Sequence, residues 1–273
     1  MDISEMPARR NAAIEDLPAE IRHAVLDALD YKSLRAMAQA SPTFHRQYVQ
    51  DRGLLLSGSV QKMLGVAAVD ACAVYRSKPE SFTRERTKES VAQFLEPYQN
   101  RLTLATYSIS DEALSFEDVE GLLKFHLTVI EPLIQSYANW ALGNFATETG
   151  LSPHHGPLSA TEEARIVRAL YRFELCCNLF HSRRNPLSQP FTLSSLDLVR
   201  LVFSLYEPWE VEQLVCVHAY ARDQFDRIFR AIHSDLKRDH PRFADQSRRV
   251  NPHGSFDFDD RCQCPPPPPL RAW

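Results

Sequence analysis

Between Ile14 and Arg52 three short helical patterns are set around two prolines, with no cysteine among them. A stretch of roughly 40 residues is near the size below which a domain needs disulfides, a metal or a partner to fold. Pro18 fits the first turn of a helix, where its missing N–H removes nothing, and Glu15, Asp16 and Glu20 place negative charge near that helix's positive end. Ile21, Val25 and Leu29 recur at a spacing of four, with Leu26 widening the apolar stripe. Asp30 can cap a second helix carrying Leu34, Met37 and Ala38. Ser41-Pro42 reads as the N-cap and first position of a third, with Phe44 and Tyr48 on one side. Burying the few large apolar side chains here is worth about 10 kcal/mol gross, against about 1–2 kcal/mol per residue for ordering the backbone. The stretch must therefore lean on the following helices, on another protein, or on both.

The leading LPxEI (Leu17, Pro18, Glu20, Ile21), the paired Val25 and Leu26, Leu29 before an acidic turn, the SLRAM run and the SPTFH segment together resemble the F-box of fungal proteins. The resemblance implies helices that insert into a Skp-family adaptor, itself held by a cullin scaffold in a ubiquitin ligase. It assigns the adaptor contacts, or the support of the contacting face, to Leu17, Pro18, Ile21, Val25, Leu29 and Leu34, with Phe44 near the end of the third helix. Many F-boxes carry a tryptophan where Phe44 aligns, so the indole N–H is missing here. The YRFELCCNLF and PWEVEQLVCVHAYARDQF segments look like the C-terminal part of fungal F-box-like proteins, which loosely extends the resemblance over most of the chain.

The 273 residues, 44% of them hydrophobic, can bury a sizeable core. A formal charge of -4 and a pI near 6.2 argue against the nucleic-acid backbone as main partner, since such domains carry a net basic balance or a basic stripe. The pairs Arg183-Arg184, Lys237-Arg238 and Arg248-Arg249 read as solvated helix ends and loops. The N-terminus has no apolar leader, and the longest mostly apolar run, Met63 to Tyr75, is short and interrupted by Asp70, so no membrane span is expected. The expectation is an intracellular protein, cytoplasmic or nuclear. Cys72, Cys176, Cys177 and Cys216 fall in apolar helical patterns and read as small core hydrophobes, while Cys262 and Cys264 lie in an irregular tail.

Helical periodicity continues beyond Arg52. Leu54–Tyr75 and Arg86–Tyr98 read as helices joined by the charged SKPESFTRER turn. Ser115 and Asp118 form a capping-box pattern ahead of Phe116, Val119, Leu123, Leu127, Ile130, Ile134 and Tyr137, with Pro132 predicting a kink over Thr128–Pro132. Gly143–Ser159 reads as a loop. Ser159 and Glu162 open a helix with the stripe Ile166, Leu170, Phe173, Cys177 and Phe180, closed by the loop HSRRNPLSQP. Leu196–Tyr206 is a shorter helix, and Glu207-Pro208 starts a last long one with Trp209, Leu214, Phe225, Phe229 and Ile232 expected inside; Tyr220 is also assigned to the core. No strand pairing and no repeat of fixed period stands out.

The chemical signatures are negative. The eight glycines form neither GxGxxG nor GxxxxGK[ST], and there is no GxSxG, HExxH, DFG or HRD set, so no enzyme, no catalytic residue and no cofactor are expected. His154-His155 sits in a breaker-rich loop without the further ligands a zinc ion needs, so no metal site is assigned. His126 and His218 read as helix histidines with satisfied partners. Glu112, Glu117 and Asp118 read as helix-start carboxylates. From Arg248 onward the character changes, and Pro265–Pro269 favours extended polyproline; Pro266, Pro269 and Arg271 match a PxxPxR ligand for SH3 modules.

The resulting expectation is an all-α chain: a short three-helix F-box-like module over residues 12–53, an irregular multi-helix domain of unknown specificity over 54–247, and a disordered proline-rich tail over 248–273. It would act by proximity, binding a Skp-family adaptor, and through it a cullin, at one end and an unknown protein substrate at the other. The alternative is a stand-alone helical interaction or regulatory protein whose F-box has degenerated.

Overall fold

The computed structural model describes residues 14–78, 87–104, 106–150, 156–180 and 194–236, and every regular element among them is helical. After a 3-10 turn at Ile14–Asp16 come α1 (Ala19–Ala28), α2 (Tyr31–Ala40), α3 (Pro42–Leu64), α4 (Ala68–Arg76) and α5 (Lys88–Leu102). They are followed by α6 (Phe116–Phe125), α7 (Glu131–Thr149), α8 (Ala160–Phe180), α9 (Ser195–Leu201) and α10 (Pro208–Leu236). The all-α expectation holds.

Several starts follow from local chemistry. The Asp30 carboxylate accepts from the Ser33 amide at the head of α2, and the Ser41 hydroxyl accepts from the Thr43 and Phe44 amides ahead of Pro42 at the head of α3. Ser115/Asp118 and Ser159/Glu162 make the reciprocal bonds expected of capping boxes. Thr87/Ser90 and Ser194/Asp197 do the same for α5 and α9. Pro18 stands one place outside the expected position, as the N-cap of α1.

Other boundaries moved for physical reasons. The third helix does not stop near Arg52: α3 bends at Asp51 (φ -109°, ψ 15°) and runs on to Leu64, where Gly65 at φ 50° takes a conformation that needs glycine. Residue 53, drawn as a module boundary, therefore falls inside a helix. The irregularity foreseen at Thr128–Pro132 is a π-helical turn, His126–Ile130. Pro132 cannot donate to the carbonyl four residues back and crowds it, and a wider turn relieves both problems. The segment from Gly143 is helical up to Thr149, because the stop is Gly150 at φ 69° and not Gly143.

The core centres on α4, whose residues Ala68 to Val74 are all buried. Its small side chains let α8, α6 and α5 approach from different sides. At Gly121 of α6 the Tyr75 ring lies 2.8 Å from where a Cβ would stand. By length and hydropathy the helical run Pro42–Arg76 could cross a membrane, but 56% of its apolar window is buried against the protein's own helices.

The described residues up to Asp223 form one compact unit, and those from Gln224 onward, the last turns of α10, belong to another. In the first unit Leu214 and Tyr220 are buried as expected, whereas Trp209 is 61% exposed. In the second, Phe225 and Ile232 are exposed and Phe229 is half-buried, contrary to the expected core positions. The buried face of α8 is Val167, Leu170, Tyr171, Leu175 and Leu179, rotated from the expected stripe, so Cys177 is exposed and Cys176 only half-buried. Cys216 is exposed as well, and only Cys72 of the four is a core residue.

Candidate functional site

Ile21 and Val25, four residues apart, share a strip on α1, with Leu17 and Pro18 just ahead of it. Ile21 is 49% exposed, Pro18 is exposed, and Leu17, Val25 and Leu29 are half-buried; Ile14 adds to the exposed apolar surface. Arg22 holds the approach to this strip, its guanidinium donating to the carbonyls of Glu15 and Leu17. Beneath, Leu26, Leu34, Phe44 and Leu55 close a small core of their own, each at most 1% exposed. Leu34 and Phe44 therefore support the face from below and do not reach its surface. Phe44 lies in the first turn of α3, not near the helix end.

That small core explains why the stretch stops short of independence. Leu55 comes from beyond the α3 bend, so the core closes only when α3 continues. At the bend His23 Nδ1 lies 3.0 Å from Asp51 Oδ2, and the Gln47 amide donates to the same oxygen at 3.0 Å, tying α1 to α3. These bonds, Gln47 first, hold the Asp51 carboxyl below its ordinary pKa. Lys32 reaches Glu131 of α7 at 2.8 Å, and the Arg52 guanidinium stacks 4.4 Å from the Phe116 ring centre, so the first three helices are joined to the larger core.

The second concentration of polar groups is internal. Asp70, 1% exposed, accepts from the Tyr98 hydroxyl at 2.5 Å, from Arg172 at 3.2 Å and from Arg168 at 3.4 Å. Both arginines also reach Glu210, Arg172 at 2.9 Å and Arg168 at 3.0 Å, and the Tyr206 hydroxyl lies 2.9 Å from that of Tyr98. Two cations balance two carboxylates. Burial disfavours the Arg172 charge, but Asp70 and its neighbours hold it protonated above its ordinary range. Burial also opposes ionisation of Glu210, yet the Arg172 hydrogen bond and charge prevail and lower its pKa. Tyr98 is pushed well up by burial and the Asp70 charge. A closed, balanced network of this kind locks α4, α5, α8 and the start of α10 together. In the sequence Asp70 reads merely as an interruption of an apolar run.

Glu112 departs from its expected role at a helix start. It is buried against Arg76, Arg101 and the Tyr107 hydroxyl. His126 is buried and hydrogen-bonded to Tyr171 at 3.1 Å, and His218 is exposed beside Phe173. Among the described residues no group of three or more His, Cys, Asp and Glu is placed to hold a metal ion. His154-His155, the three basic pairs, Cys262, Cys264 and the proline-rich tail lie outside the described residues.

No family model matches the chain, and no curated protein or solved structure does either.

Proposed function

We propose that the chain is an F-box-type substrate receptor that binds a Skp-family adaptor through the α1 face and presents a protein substrate on its larger helical region to a cullin-based ubiquitin ligase. The observation that carries this reading is the strip of exposed Pro18 and Ile21 with half-buried Leu17 and Val25, lying over a separate, already closed core. A surface helix in a monomer normally turns such a stripe inward, and an apolar strip left outward on a braced support suits a partner. The role is one of proximity and assigns no catalytic residue, cofactor or metal, which accords with a cytoplasmic or nuclear setting. The PxxPxR spacing of Pro266, Pro269 and Arg271 would add an SH3-module contact.

The competing reading, a stand-alone helical interaction protein, draws on the continuity of α3 and the Lys32–Glu131 link, which make the first helices a finishing layer of the main body. Co-elution of the full chain with a purified Skp adaptor separates the two. On the receptor reading the complex forms, and Leu17→Asp with Ile21→Asp abolishes it while the circular dichroism and unfolding midpoint of the chain stay put. Absence of a complex with the parent chain, or global unfolding of the variant, overturns the receptor reading.

A further inference from the structure

Between α4 and α5 lies a cleft of about 130 Å³. Ala73 and Val69 form one wall and Phe94, Pro97 and Tyr98 the other, with Arg76 and Arg101 at the mouth. An apolar cavity of about 150 Å³ holds a benzene, so this space takes one six-membered ring or a short branched chain. It exists because α4 contributes small side chains here while Pro97 puts a rigid ring inside α5.

The mouth carries uncompensated charge. Arg76 and Arg101 share a single carboxylate, Glu112, whose side chain is 4% exposed and is further held by Tyr107 at 3.0 Å. Arg76 engages Glu112 through Nη2 at 2.5 Å and Arg101 through Nε and Nη2. A guanidinium has five N–H donors, so each arginine keeps donors for another acceptor. Their side chains are 33% and 30% exposed, neither buried out of reach nor free to drift. Asp118 also feels the Arg76 charge, but its oxygens are engaged by the Ser115 amide and the Tyr75 hydroxyl. Glu112 thus gathers the two arginines that line one cleft and compensates one of their two charges.

We propose that this cleft is a binding site for a small monocarboxylate bearing one aromatic or branched apolar group. The apolar group lies between Ala73 and Tyr98 and the carboxylate spans Arg76 and Arg101, whose planar forks match a planar anion. The inference stands apart from the adaptor reading, which uses α1 alone.

The test titrates the full chain with phenylacetate, with 2-phenylethanol as its uncharged counterpart and inorganic phosphate as a bare anion, all at matched ionic strength and read by calorimetry. Phenylacetate is expected to bind one to one, at least about tenfold more tightly than either control. Arg101→Gln should weaken phenylacetate by about tenfold or more and leave 2-phenylethanol within about twofold. Ala73→Leu, which fills the cleft and keeps both arginines, should abolish binding of both while the unfolding transition stays cooperative. No saturable phenylacetate binding, phosphate binding as tight as phenylacetate, or affinity unchanged by Ala73→Leu overturns the proposal.

Discussion

Asp70→Asn tests how the interior of this protein is held. The substitution keeps size and shape and removes one negative charge from a site where Asp70 is 1% and the Arg172 side chain 2% exposed. Two arginines then share Glu210 alone. Removing one side of a buried pair costs about 3–5 kcal/mol, because the other charge is left in a low-dielectric interior without its counter-ion. Glu210, 2.9 Å from Arg172, keeps part of the compensation, which puts the expected loss at the low end, about 3 kcal/mol. Arg172→Met alone leaves Asp70 and Glu210 facing only Arg168, and should cost a similar amount. The double variant removes the stranded charge along with its partner and leaves the partly exposed Arg168–Glu210 pair intact. It should therefore fall short of the sum of the single losses by about 2 kcal/mol. Urea unfolding at pH 7, followed by circular dichroism, reads these values as midpoint shifts of about 1 M for the single variants. A loss below about 1 kcal/mol for Asp70→Asn, or strict additivity in the double variant, would refute the electrostatic account of this network.

Two further outcomes follow from burial. Phe44→Ala, under the α1 face, should cost about 3–5 kcal/mol, whereas Ile21→Ser on the face should stay within about 0.5 kcal/mol; comparable losses at both sites in urea unfolding would mean that the face is sealed. His126 has its pKa lowered chiefly by burial, so the folded state binds fewer protons there than the unfolded state. Its contribution is fully present above the unfolded value of about 6.5 and declines as pH falls toward the lower folded value. The urea midpoint of the parent chain should drop faster than that of His126→Asn between about pH 7 and pH 5, and parallel curves would remove His126 from the account.

Much of the α1 face was legible because its determinants are local. N-caps, capping boxes, a proline at the start of a helix and a spacing of four are read by a residue from its near neighbours, so α1, α2 and the start of α3 follow from Pro18, Asp30 and Ser41-Pro42. The outward set of Ile21 and the inward set of Phe44 were not legible in the same way, because both are apolar residues on helical stripes. Which stripe is covered is decided by how Leu26, Leu34 and Leu55, from three different helices, close around Phe44. Phe225 and Trp209 went astray for the same reason: a stripe says that a helix has an apolar side, not that another element arrives to cover it.

By itself the sequence determined an all-α chain, the heads of most of its helices and the backbone irregularity ahead of Pro132, since each depends on hydrogen bonds and sterics within a turn or two. Tertiary structure alone decided that Asp70, Arg168, Arg172 and Glu210 meet, that Glu112 leaves its helix start to gather Arg76 and Arg101, and that a cleft opens beside Pro97. Asp70 and Arg172 stand about a hundred positions apart along the chain. A charge carries no record of its distant partner, and whether it ends in water or in the core is settled only when helices from across the chain close around it.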